Sequence, residues 1–138
     1  MSSTRLVTPK HMPWTPLPYM RRAVDFLKSH YRGGLPLLPG GRKTSITLKA
    51  FAELKAEGKV NTMLVVAPLR VARQVWRQEG AKWNDFRHLT FAGVYGEAKA
   101  RTKALNSGAD VYLINYDNLA WLAKQYMGRP LPFDVVTF

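Results

Sequence analysis

From residue 43 to the end of the chain, short apolar segments alternate with amphipathic ones at spacings that few folds accommodate. The run Met63-Leu64-Val65-Val66-Ala67, within a strand expected over 60–67, has no polar interruption. That is the pattern of a strand buried on both faces of a parallel sheet. Further strands are expected over 89–94, 111–114 and 133–138, and helices over 43–57, 71–83, 97–105 and 118–126. The 43–57 helix turns Ile46, Leu48, Phe51, Ala52 and Leu54 inward and is closed by Gly58. The 71–83 helix carries Val75 and Trp76. Upstream, Pro18 opens a helix over 18–31 with Ala23, Val24, Phe26 and Leu27 as its stripe, and Gly33-Gly34 breaks it. Residues 35–38 are a further strand candidate, weakened by Pro36. This alternation predicts an α/β three-layer sandwich with a mostly parallel sheet. Residues 1–16, rich in Ser, Thr and Pro, read as an irregular arm, and 17–138 as one domain.

The segment Leu37-Leu38-Pro39-Gly40-Gly41-Arg42-Lys43-Thr44-Ser45 falls where a helix is about to start. A phosphate-binding loop reads G-x-x-x-x-G-K-[ST], because its backbone N–H groups must close around phosphate oxygens. Lys43 and Thr44 satisfy its last two positions. Arg42 stands where the pattern has Gly, and Leu37 where it has the first Gly. A Cβ and long side chain at position 42 crowd the approach of backbone to phosphate. Gly40, Gly41 and the helix N-terminus at Lys43 still form an anion site, and a guanidinium is itself a phosphate ligand.

Charge points toward polyanions. Twenty-one Lys and Arg against nine Asp and Glu give a net charge of +12 and a pI near 10.3. Residues 1–52 hold nine cations against Asp25 alone, or +8. A field of that sign is the footprint of nucleic-acid binding, or it faces an acidic protein partner. Arg70, Arg73 and Arg77 recur at three- and four-residue spacing, hence on one helix face, as phosphate contacts would. Asn115 and Tyr116 follow a strand, where open α/β sheets place ligands. Trp76, Trp83 and Trp121 read as core, and Trp14, in the Pro-rich arm, as exposed or stapling. The chain has no Cys, so disulfides, thiolate metal sites and Cys nucleophiles are excluded, and its three His are far apart. No apolar run reaches membrane-spanning length and no signal-peptide core opens the sequence, so the expectation is a cytoplasmic protein with no membrane partner.

In their order, these motifs resemble the first RecA-like lobe of superfamily 2 helicases, closest to the Snf-type DNA translocases, phage and prophage forms included. Leu17-Pro18-Tyr19-Met20 is similar to the adenine-reading Q-motif region, with Met20 in place of Gln; the resemblance extends nucleotide contact to Tyr19. Pro39-Gly40-Gly41-Arg42-Lys43-Thr44 is similar to motif I, with Leu38 in place of its usual acid. Val65-Val66-Ala67-Pro68-Leu69-Arg70 and Gln74-Val75-Trp76 resemble motif Ia, which touches the DNA backbone. The 111–119 stretch resembles the segment before motif II, and 133–138 the strand that delivers motif II's Asp-Glu pair.

The resemblance implies a P-loop NTPase topology truncated before motif II. ATP and Mg²⁺ would be the cofactors, and nucleic acid, DNA above all, the partner. Phosphoryl transfer needs a Lys on the phosphates, Mg²⁺ and carboxylates for metal and water. Lys43 and Thr44 could supply the first, whereas Asp134 starts the last strand at the wrong end. The expectation is a module that binds nucleic acid or an acidic partner without hydrolysing ATP alone, one version being a phage-encoded regulator or inhibitor. The alternatives are the ATP-binding half of a split or longer translocase, and a decaying gene product. An open sheet edge would allow a homo-oligomer.

Overall fold

The computed structural model describes residues 12–30 and 43–138. Helix α1 (Pro18–Ser29) is followed by α2 (Lys43–Ala56), β1 (Met63–Ala67), α3 (Trp76–Lys82), β2 (Phe91–Val94), α4 (Ala98–Leu105), β3 (Val111–Asn115), α5 (Leu119–Gln125) and β4 (Val135–Thr137). The four strands form one wholly parallel sheet in the order β2-β3-β1-β4. Met63 pairs with Val111 on one side and Val135 on the other, so the strands start level and their C-terminal ends share one edge of the sheet.

Strand alternation separates the two layers of helices. Met63, Val65, Ala67, Val111, Leu113 and Val135 point into a core closed by α1, α2 and α3. Leu64, Val66, Ala92, Val94, Tyr112 and Ile114 point into a second core closed by α4 and α5. Helix α2 lies innermost: residues 44–48, 50–52 and 54 are all buried, consistent with its being apolar on more than one face. Gly58, at φ +76°, ends the segment in a conformation glycine adopts without strain. Among the described residues no helix is long and apolar enough to cross a membrane.

Among the described residues the expected elements are present with trimmed ends, and three expectations differ in substance. Helix α1 buries Met20, Val24 and Leu27, while Phe26 is half exposed and stacks on the His30 ring at 4.1 Å. The expected 71–83 helix is not uniform. It opens with a π-turn over Val71–Val75, in which the Trp76 N–H reaches back to the Val71 carbonyl, and only then becomes α3. A π-turn is a rare insertion that often marks functional segments.

Trp14, expected to be either exposed or stapling, is 7% accessible and belongs to the first core. Its N–H donates to Asp85 Oδ1 at 3.1 Å and its ring lies 6.3 Å from Phe86. Met12 bridges Trp83 in parallel, and the Asn84 N–H donates to the Met12 carbonyl at 2.7 Å. A segment poor in periodicity is thus held by backbone pairing and one large indole, signals a local pattern does not carry. The candidate strand 35–38 lies outside the described residues.

Candidate functional site

The C-terminal edge of the sheet opens into a cavity of about 320 Å³. Lys43, Thr44 and Thr47 enter it from the first turns of α2, Val66, Ala67 and Pro68 from the end of β1, and Thr137 and Phe138 from the end of β4. Val71, Trp76 and Tyr116 complete the wall. Open parallel sheets bind ligands at this edge, and a helix N-terminus beside it offers unpaired N–H groups and the positive end of a dipole. Lys43 is exposed at the mouth, while the Thr44 and Thr47 hydroxyl groups are buried.

One cation, several hydroxyls and helix N–H groups fit a phosphate. They do not complete a Mg²⁺ site, because none of these lining residues is a carboxylate. Among the described residues no group of three or more His, Asp or Glu could hold a metal ion. Two carboxylates, Asp134 and Asp110, are committed at the opposite end of the sheet. Asp134 Oδ2 accepts the N–H groups of Asn61 (2.7 Å) and Thr62 (3.2 Å). Asp110 accepts the Thr90 N–H at 2.8 Å and pairs with Lys55 at 3.1 Å. Both pin the starts of strands, far from Lys43.

The phosphate-loop residues part company. Lys43 and Thr44 meet in the cavity, and Gly40, Gly41 and Arg42 lie outside the described residues. Ser45 is buried and faces a second cavity of about 250 Å³ with Trp14, Met20, Glu79 and Trp83, which Thr44 also touches. Tyr19 is half exposed and is not among the residues that line either cavity. Met20, standing where the resemblance has Gln, is buried, and its Sδ accepts the Leu17 N–H at 3.4 Å.

The arginine segment starts at the cavity wall and runs outward. Val71 and Trp76 face the cavity, whereas Arg70, Arg73 and Arg77 are exposed and form no ion pair among the described residues. The π-turn interrupts the regular spacing on which a single shared face was inferred. The Arg73 guanidinium lies 5.7 Å over the Tyr95 ring. That ring covers Gly93 on β2, where a Cβ would meet Tyr95 Cζ at 2.2 Å. Asn115 and Tyr116 divide likewise: Asn115 is buried with its side-chain oxygen accepting from the Asn118 amide, and Tyr116 is 50% exposed at the cavity.

The sequence reading missed a charge cluster that reshapes the expected field. Glu53 on α2 accepts two hydrogen bonds from Arg21 (2.7 and 2.8 Å) and one from Lys28 (3.0 Å), with Lys49 at 3.6 Å. Hydrogen bonding to Arg21, above all, and to Lys28 holds its carboxyl down at about 2. Lys28 also reaches Glu57 and Lys49 reaches Asp85, each at 2.5 Å. Three of the nine cations in residues 1–52 are therefore neutralised by acids that lie later in the chain. Among the described residues, cations without an ion pair include Arg22, Lys43, Arg70 and Arg87, and others on the π-turn, α3, α4 and α5 or just after α5. The i, i+4 spacings Arg21/Asp25 and Lys49/Glu53 were readable as local pairs; their convergence required the packing of α1 on α2.

No family model matches the chain. Over 125 residues it is 38% identical to protein p41 of Acyrthosiphon pisum secondary endosymbiont phage 1, covering 89% of this chain and 27% of that protein. Its fold superposes on the Sulfolobus solfataricus SWI2/SNF2 ATPase core, solved in complex with dsDNA, with a TM-score of 0.73 at 22% identity. That match covers 95% of this chain and 27% of the other. The chain thus spans about a quarter of the length of each, and its α/β architecture matches a RecA-like fold.

Proposed function

We propose that this chain is a nucleic-acid-binding module built on a superfamily 2 helicase lobe, with DNA as its ligand and no ATP hydrolysis of its own. The observation that carries the reading is the cavity at the sheet's C-terminal edge. Lys43 and Thr44 both line it, none of the described residues that line it is a carboxylate, and the segment that supplies Val71 and Trp76 to its wall carries the exposed Arg70, Arg73 and Arg77. Phosphate binding survives on such a plan, whereas metal-assisted phosphoryl transfer needs acidic groups it does not supply. The arginines would contact the backbone of a strand laid along the π-turn and α3, with Tyr116 at its margin. The SWI2/SNF2 core with bound dsDNA supports DNA over an acidic protein as the partner. The phage relative supports action in the cytoplasm of a bacterial or phage-infected cell.

A second reading is the ATP-binding portion of a longer Snf-type translocase, with the missing carboxylates on another segment or chain. It is favoured by the alignment with only 27% of the phage protein. Fluorescence anisotropy of a labelled duplex, compared between the wild type and Arg70→Gln/Arg77→Gln, tests the first reading alongside a phosphate-release assay. The expectation is binding that the double substitution weakens evenly across sequences, with no ATP turnover. Sustained turnover by the chain alone would overturn the non-hydrolysing reading.

A further inference from the structure

The second layer of helices carries a basic surface that the cavity and the arginine segment do not explain. Residues 98–106 and 119–129, which comprise α4, α5 and their C-terminal turns, hold Lys99, Arg101, Lys103, Lys124 and Arg129 and no carboxylate. None of the five forms an ion pair among the described residues, and all but Arg101 are exposed. Between the helices runs a groove of about 190 Å³ lined by Thr102, Leu105, Asn106, Gln125, Tyr126 and Arg129. Lys103 and Lys124 are the immediate chain neighbours of Thr102 and Gln125 in that lining.

Two features set this surface apart from an ordinary solvated face. First, both arginines are fixed against aromatic rings: Arg101 lies 4.6 Å over Trp121 and donates to the Gly96 carbonyl at 2.6 Å. Arg129 lies 5.1 Å over Tyr126 and donates to the Gln125 carbonyl. Second, helix dipoles account for Lys103 and Lys124, which stand in last turns, but not for Lys99. Lys99 stands in the first turn of α4, where the dipole disfavours a cation. The core packing of α4 and α5 likewise makes no demand on these exposed side chains.

We propose that this face binds the phosphate backbone of a second nucleic-acid segment, so that one module joins two segments through its opposite helix layers. The inference rests on the nucleic-acid reading above, and charge complementarity identifies the occupant: five cations without an ion pair among the described residues, with Glu97 and Asp117 just outside the two helices, beside a groove that offers guanidinium and amide donors. Because α3 and the α4–α5 pair lie on opposite faces of the sheet, one short straight duplex does not reach both.

The test uses the whole chain and two duplexes of about ten base pairs carrying different fluorophores, too short to wrap the protein. Two-colour coincidence and binding stoichiometry are measured for the wild type, for Lys99→Gln/Lys103→Gln/Lys124→Gln and for Arg70→Gln/Arg77→Gln. Two duplexes per wild-type chain are expected, and one for the lysine variant, with coincidence lost and an unchanged melting curve. One duplex per wild-type chain, insensitive to the lysines and lost with the arginines, overturns this inference and leaves the first reading intact. One duplex that follows the lysines alone overturns the first reading instead.

Discussion

Replacing Glu53 by Gln removes the carboxylate on which Arg21, Lys28 and Lys49 converge while keeping its shape. The magnitude follows from the geometry. Its pKa is lowered from 4.5 to about 2, and at about 1.36 kcal/mol per unit the full shift corresponds to about 3 kcal/mol. The Arg21 side chain is 41% accessible, so solvent screens that side of the cluster, and exposed pairs contribute about 0.2–1 kcal/mol each. A net loss of about 1–2 kcal/mol is expected near neutral pH, or roughly 3–8 °C in melting temperature for a domain this size. A carboxyl whose folded-state pKa lies below its unfolded pKa stabilises fully above the unfolded pKa. Its contribution is lost as pH falls toward the folded one. The gap between wild type and Glu53→Gln should therefore be constant above pH 5 and narrow between pH 4.5 and 2. Far-UV circular dichroism melts at stepped pH measure it. A gap absent at pH 7, or one that persists unchanged at pH 2.5, would refute the argument that this cluster clamps α1 to α2.

Three further outcomes are expected. Trp14→Ala should cost about 3–5 kcal/mol in denaturant unfolding, since it empties a buried indole site, and a cost near zero would separate residues 12–16 from the folded unit. Arg42→Gly should strengthen nucleotide binding in calorimetric titration; unchanged affinity would place the obstacle elsewhere than position 42. Gly93→Ala forces the Tyr95 ring aside and removes the support under Arg73, so duplex affinity should fall about two- to five-fold in anisotropy, and an unchanged affinity would detach Arg73 from the interface.

The fold was legible because its signals are local. An unbroken run such as 63–67 reads as a doubly buried strand, and the α2 pattern reads correctly down to Gly58. What escaped depends on residues distant in sequence. Trp14 is buried where its ring packs near Phe86, and its backbone N–H donates to Asp85, 71 positions away. Glu53 matters because α1 and α2 pack side by side. The π-turn leaves no mark in a three-and-four pattern, since an extra residue in one turn shifts spacing without changing composition. At the site, Lys43 and Thr44 were readable from motif chemistry, as was the misplacement of Asp134. Asn115 is buried as the last residue of β3, with its side chain bonded to Asn118, whereas Tyr116 begins the turn after the strand and is exposed. The basic surface on α4 and α5 was hidden for a related reason, because counting charge along the chain favoured residues 1–52, where the fold cancels part of it.

The salt dependence of duplex binding by the wild-type chain bears most directly on the central claim, that inherited phosphate contacts hold nucleic acid on this scaffold. Each neutralised backbone phosphate steepens the plot of log affinity against log salt by about 0.9. Engagement of Arg70, Arg73 and Arg77 therefore predicts a slope of about −3 or steeper. A slope near zero would contradict the account.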